Sequence, residues 1–260
     1  MDLGLRGRAA FVAASSKGMG LAIARLFAAE GADVGMCARD AEALRSAAAS
    51  VEQHGVRVVA HPADLSDGAQ ASAVVERTAA ELGRLDMLVV NAGGPPLGVF
   101  ETLDDAAWQA AFELTFMSAT RMIRAALPHL RRSDAPSITI VSSFTVRQPV
   151  MGLTLSNAIR TGVSGLAKSL SVELAPDIRI NTVLPGNIAT DRAISLAASR
   201  GGATRSADEV MAESARSIPL QRYGTPDEFA RVAVFVASPA ASYVTGTTVP
   251  VDGGIIQAVL

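Results

Sequence analysis

The chain has 260 residues, 49% of them apolar and 18% charged, which fits a folded globular protein and excludes a disordered one. Its 23 basic and 25 acidic side chains leave a net charge of −2 with no basic run, so neither nucleic acid nor an anionic membrane is expected as a partner. The lone Cys37 can form neither an internal disulfide nor a zinc site. No apolar run reaches the ~18 residues of a membrane span and no signal core opens the chain, so a cytoplasmic protein is expected.

In chain order, residues 9–14 read as a strand and 18–30 as a helix. Then come a strand at 33–38, a helix at 41–53, a strand at 56–61 and a helix at 67–82. Residues 87–90 form a short apolar strand. Residues 104–131 make a long helical stretch that Pro128 is expected to break. A strand at 137–142, a helix at 155–173, a strand at 178–184, a helix at 225–237 and a strand at 247–251 complete the pattern. Continuous apolar strands alternating with helices predict an α/β fold: one domain over 1–260, with a doubly wound parallel sheet covered by helices on both faces. Residues 189–218 interrupt helical sequence with Ser199-Arg200-Gly201-Gly202. They read as a surface loop or as a lid over a ligand, and the length favours the lid.

Ala13-Ala14-Ser15-Ser16-Lys17-Gly18-Met19-Gly20 joins the first strand to its helix. Glycines let a backbone approach a ligand, and a helix N-terminus offers N–H groups and a positive dipole end to a pyrophosphate. The third Gly of a G-x-G-x-x-G fingerprint is missing, because position 23 is Ile. Asp64-Leu65 follows the third strand and Asn91-Ala92-Gly93-Gly94 the fourth. Pro185-Gly186-Asn187-Ile188-Ala189-Thr190 follows the sixth, and Val251-Asp252-Gly253-Gly254 closes the last. Open α/β sheets bind ligands at these C-terminal strand ends.

Taken together and in order, these segments resemble the short-chain dehydrogenase/reductase family over nearly the whole chain. The first turn is similar to the family's Thr-Gly-x-x-x-Gly-x-Gly segment, with Ala13 and Ala14 replacing the Thr and the first Gly. Ala14 is harmful there only if its φ is positive. The resemblance implies a dinucleotide-dependent oxidoreductase, similar to 3-oxoacyl-acyl-carrier-protein reductases, that acts on a small carbonyl compound and forms a tetramer or dimer. It implies cofactor contacts from Ala14, Ser16, Lys17, Gly18, Met19 and Gly20 in the first turn and from Asp64 and Leu65 after the third strand. Asn91, Ala92 and Gly93 would follow the fourth strand, and Pro185, Gly186, Ile188 and Thr190 the sixth. At the end of the second strand, Arg39 with Lys17 suits a 2′-phosphate and favours NADP(H) over NAD(H). If Asp40 merely caps the next helix, that segment is silent on the choice.

The family's catalytic Asn, Ser, Tyr and Lys fall on Thr115, Ser143, Ser156 and Arg160, so Ser143 alone is retained. A phenol starts near pKa ~10 and a neighbouring Lys lowers it toward the working range. An aliphatic hydroxyl is a far weaker acid, and Arg keeps the charge without relaying a proton. Losing a positioned general acid costs about 10²–10⁴ in rate. Neither Tyr223 nor Tyr243 matches an active-site position, and His54, His61 and His129 read as solvated or structural. Ser143 and Ser156, or a water between them, remain as donors to a carbonyl oxygen. No residues have metal-ligand spacing. Two functions follow: a divergent, slow NADPH-dependent carbonyl reductase, or an NADP(H)-binding pseudo-enzyme that senses or regulates. Residues 144–152 and 189–218, with Arg147 and Arg192, are expected around the substrate.

Overall fold

In the computed structural model, which describes residues 1–202 and 204–259, the strands are β1 (Ala9–Val12), β2 (Asp33–Ala38), β3 (Val58–Pro62), β4 (Met87–Val90), β5 (Ser137–Val141), β6 (Arg179–Pro185) and β7 (Thr248–Val251). They form one parallel sheet in the order β3-β2-β1-β4-β5-β6-β7. The direction of winding reverses between β1, which pairs through Ala9↔Asp33 on one side, and β4, which pairs with it through Ala10↔Met87 on the other. A ligand crevice is expected at such a reversal.

The helices are α1 (Gly18–Ala29), α2 (Ala41–Glu52), α3 (Gly68–Leu82), α4 (Asp105–Phe112), α5 (Ser118–Leu130), α6 (Thr154–Glu173), α7 (Asp191–Gly201), α8 (Ala207–Arg216) and α9 (Pro226–Ala237). Asp40, Asp67, Asp104 and Thr225 start α2, α3, α4 and α9 by accepting backbone N–H bonds. Successive strand residues point to opposite faces. Val12, Val34, Met36, Met87 and Val89 pack with Ile23 and Phe27 of α1, Leu44 of α2 and Phe229 of α9. Phe11, Cys37, Leu88 and Val90 pack on the other face with Val75 of α3, Met122 of α5 and Val163 of α6. Both faces are therefore covered, which is why the strands read as unbroken apolar runs.

Three expectations need correction. The first strand ends at Val12, because Ala14 has φ +49°, incompatible with an extended ladder. The long helix is not broken at Pro128, which lies in the last turn of α5 and removes one hydrogen bond there without interrupting the helix centre. The interruption comes earlier, where a five-residue π turn, Glu113–Met117, separates α4 from α5. Finally, segment 189–218 is a helical hairpin, with Thr190 capping α7 and a Ser206/Glu209 capping box starting α8. Ala203, between those helices, lies outside the described residues.

Candidate active site

A cavity of about 850 Å³ opens at the C-terminal ends of β1, β2, β4, β5 and β6. Its floor at the sheet reversal is the turn from Ala14 to Gly20. Ser15 is buried and fixed by its N–H to the Cys37 carbonyl (2.9 Å) and its hydroxyl to the Val12 carbonyl (2.8 Å). From the adjoining strand, the Asn91 amide donates to the carbonyls of Ala13 and Ala14 at 3.2 and 3.4 Å. These bonds hold Ala14 in the left-handed region despite its side chain. Gly20 has no such freedom to lose: a Cβ there would sit 2.3 Å from the Ala14 carbonyl oxygen. Lys17, the extended N-cap of α1, gives the helix no side-chain cap. The first N–H groups of α1 therefore face the cavity without a side-chain acceptor, a setting that suits a diphosphate.

At one end of the cavity lie Arg39, Asp40, Asp64 and Leu65. The Asp40 carboxylate is occupied in capping α2, accepting from Glu42 and Ala43 N–H at 3.0 Å. The Asp64 carboxylate accepts from the Ser66 hydroxyl (2.7 Å) and N–H (2.9 Å); these bonds, helped by the charge of Arg39, hold its pKa below the usual range. Arg39 is exposed and forms no ion pair among the described residues.

Toward β5 and α6 the wall carries Ser143, Ser156 and Arg160. Ser143 accepts the Thr145 N–H at 3.2 Å, which leaves its own proton to give. Ser156, in the first turn of α6, contributes a hydroxyl with no protein partner among the described residues. Arg160, one helical turn on, is buried, and its Nη1 donates to the carbonyls of Val141 and Ser142, each at 3.2 Å. Burial, with a smaller contribution from Arg192, pushes its pKa down to about 10, so it stays cationic at neutral pH.

The cavity wall thus gathers every cofactor-contact residue expected from the sequence, together with Ser143, Ser156 and Arg160. Thr115 is not on it. The π turn sends Leu114 to the cavity and buries Thr115, whose hydroxyl has no partner. Arg147 is also absent from the wall, whereas Arg192 is on it. Of the two tyrosines, Tyr223 lines the cavity, while Tyr243 is fully exposed. Bonds from Ala189 N–H to the Gly224 carbonyl (2.8 Å) and from Gly224 N–H to the Asn187 carbonyl (3.0 Å) lay the Tyr223 segment along the β6 loop. No local pattern announces that pairing. Among the described residues no cluster of three or more His, Cys, Asp or Glu could hold a metal, and no helix is long and apolar enough to cross a membrane.

A family model described as enoyl-(acyl carrier protein) reductase matches residues 13–256. The chain belongs to the short-chain dehydrogenase/reductase family. It is 32% identical over 250 residues to a 3-oxoacyl-acyl-carrier-protein reductase of Chlamydia muridarum, covering 95% of this chain and 97% of that protein. Its fold matches that of L-sorbose reductase from Gluconobacter frateurii, complexed with NADPH and L-sorbose, with a TM-score of 0.96, 32% identity and full coverage of both chains. It also matches the NADPH-bound structure of a short chain oxidoreductase from Pseudomonas aeruginosa PAO1 containing an atypical catalytic center. That TM-score is 0.88, with 34% identity over 96% of this chain and 97% of the other. The family is one of oxidoreductases acting on small molecules, built on this seven-stranded sheet.

Proposed function

We propose that the protein is an NADPH-dependent carbonyl reductase with an altered proton-donating centre. The observation that carries this is that an uncapped, glycine-bearing helix start lines the same cavity as Ser143, Ser156 and Arg160. The residues present fit the dinucleotide. Gly20 lets α1 start close against the Ala14 carbonyl, the uncapped α1 start offers its N–H groups to a diphosphate, and Arg39 with Lys17 offers charge to a 2′-phosphate where the Asp40 carboxylate is already engaged. NADPH, when bound, would supply the hydride. The chain's own part is to hold a carbonyl oxygen between the Ser143 and Ser156 hydroxyls and to keep Arg160 cationic beside them. Such hydrogen bonds stabilise developing negative charge on that oxygen without a strong acid. The final proton then comes from a water reaching Ser156, which makes slow turnover the expectation. Helices α7 and α8 act as the lid over this site, and the protein works in the cytoplasm as a homo-oligomer.

A second reading has its own support: neither Ser156 nor Arg160 can do what a Tyr and Lys pair does, so the site suits an NADP(H)-binding sensor as well. One experiment separates the two. NADPH and NADH are titrated by calorimetry, and carbonyl reduction is assayed in the wild type and in Ser156→Tyr/Arg160→Lys. The reductase predicts tighter NADPH than NADH binding and a gain of about 10²-fold or more in the double variant. NADPH binding with no turnover in either protein favours the sensor, and absence of nucleotide binding sinks both.

A further inference from the structure

Two arginines that line the cavity, one from α6 and one from α7, have no counter-ion among the described residues. Arg160 uses only Nη1 on protein acceptors; its Nε and Nη2 have no protein partner among the described residues, although the side chain is buried in the cavity wall. Arg192 reaches in from the first turn of α7. Its Nη2 donates to the Pro95 carbonyl at 2.9 Å, and its guanidinium lies on the backbone of Gly94, where a Cβ would come within 2.4 Å of it. Among the described residues no carboxylate lies within 4.0 Å of either guanidinium. Asp191 is next in sequence and lines the same cavity. The charge of Arg192 is felt at Arg160. Two like charges on one cavity wall repel, and among the described residues only backbone carbonyls, not a carboxylate, offset them.

The two ends of this segment face different parts of the cavity. Thr190 packs on the phosphate turn, since a Cβ on Gly18 would meet its methyl at 3.4 Å. Arg192, two residues on, lies over Gly94 and Pro95, and its charge reaches Arg160, one helical turn from Ser156 on α6. The cations suited to a nucleotide's phosphates, Lys17 and Arg39, lie elsewhere on the wall, beside the α1 start and the β2 end. Arg192 is therefore placed where the substrate would lie, with a planar fork that matches a carboxylate.

We propose that the substrate is an oxo acid, whose carboxylate is received by Arg192 with Arg160 flanking it, and that Arg192 sets this specificity. The inference rests on reading the cavity as the site of an NADPH-dependent reductase. It is tested on the full chain saturated with NADPH, titrated calorimetrically with 2-oxobutanoate and 4-oxopentanoate and with their methyl esters. The acids should bind at least about tenfold tighter than the esters. Arg192→Met should remove that preference while NADPH affinity holds, and Arg192→Lys should restore part of it. Equal binding of acids and esters, or no acid binding at millimolar concentration, overturns the proposal and leaves the reductase reading standing. So does an Arg192→Met variant that loses NADPH affinity but keeps the acid preference, because Arg192 then serves the cofactor's diphosphate. Failure of the wild type to bind NADPH at all overturns the reductase reading, and this inference with it.

Discussion

Ala14 offers a direct test of how the phosphate turn is held. Its φ of +49° places an L residue in the left-handed region, at a conformational cost of roughly 1–2 kcal/mol that glycine does not incur. Replacing any Ala by Gly also frees the unfolded chain, costing about 0.5–1 kcal/mol, and exposes up to about 0.8 kcal/mol of methyl burial. For Ala14→Gly the relief and the losses nearly cancel, so the net change should be close to zero. The adjacent Ala13 is the control: it is fully buried and does not have a positive φ. Ala13→Gly suffers the same two losses without relief, a destabilisation of about 1–2 kcal/mol. At roughly 2–4 °C per kcal/mol for a chain near this size, the two variants should differ in Tm by about 2–8 °C. The assay is thermal denaturation of both variants and the wild type without nucleotide, since a ligand would raise all three values. If Ala14→Gly is destabilised as much as Ala13→Gly, the strain argument is refuted.

Gly20→Ala forces a Cβ to 2.3 Å from the Ala14 carbonyl oxygen; it should lose about 1–3 kcal/mol of stability, and NADPH binding with it, in thermal and fluorescence titrations. Arg39→Ala should weaken NADPH about tenfold or more and leave NADH unchanged; an unaltered ratio of the two dissociation constants would remove Arg39 from cofactor choice. Cys37 is buried beneath the phosphate turn, and burial pushes its thiol up to about 12. The native protein should therefore not react with a disulfide reagent at about pH 8, whereas the denatured chain should react fully; rapid native labelling would contradict the packing.

The loops that surround the cavity were legible because they are local. Glycines, helix starts and strand ends occupy short stretches whose chemistry does not depend on distant parts of the chain, and Ala14, Asn91 and Pro185 all reach the cavity as their positions implied. The helix boundary at Pro128 was misread because a proline's effect depends on where the helix ends, and the π turn at Glu113–Met117 has no composition that marks it. That turn decided that Thr115 is buried and Leu114 is not. The presence of Tyr223 on the wall is not legible locally, because a backbone pairing with the distant β6 loop carries it there.

The sequence by itself determined the alternation of strands and helices, the placement of glycines at a helix start, and the presence of a hydroxyl and a guanidinium one helical turn apart at Ser156 and Arg160. These follow from residue type and spacing, which set periodicity and acidity directly. Only the tertiary structure decided that Ala14 is strained, that Asp40 is engaged while Arg39 is not, and that Arg192 crosses from α7 to the Pro95 carbonyl. Each of these depends on groups far apart in the chain meeting at one sheet reversal, where geometry and burial set the balance of charge.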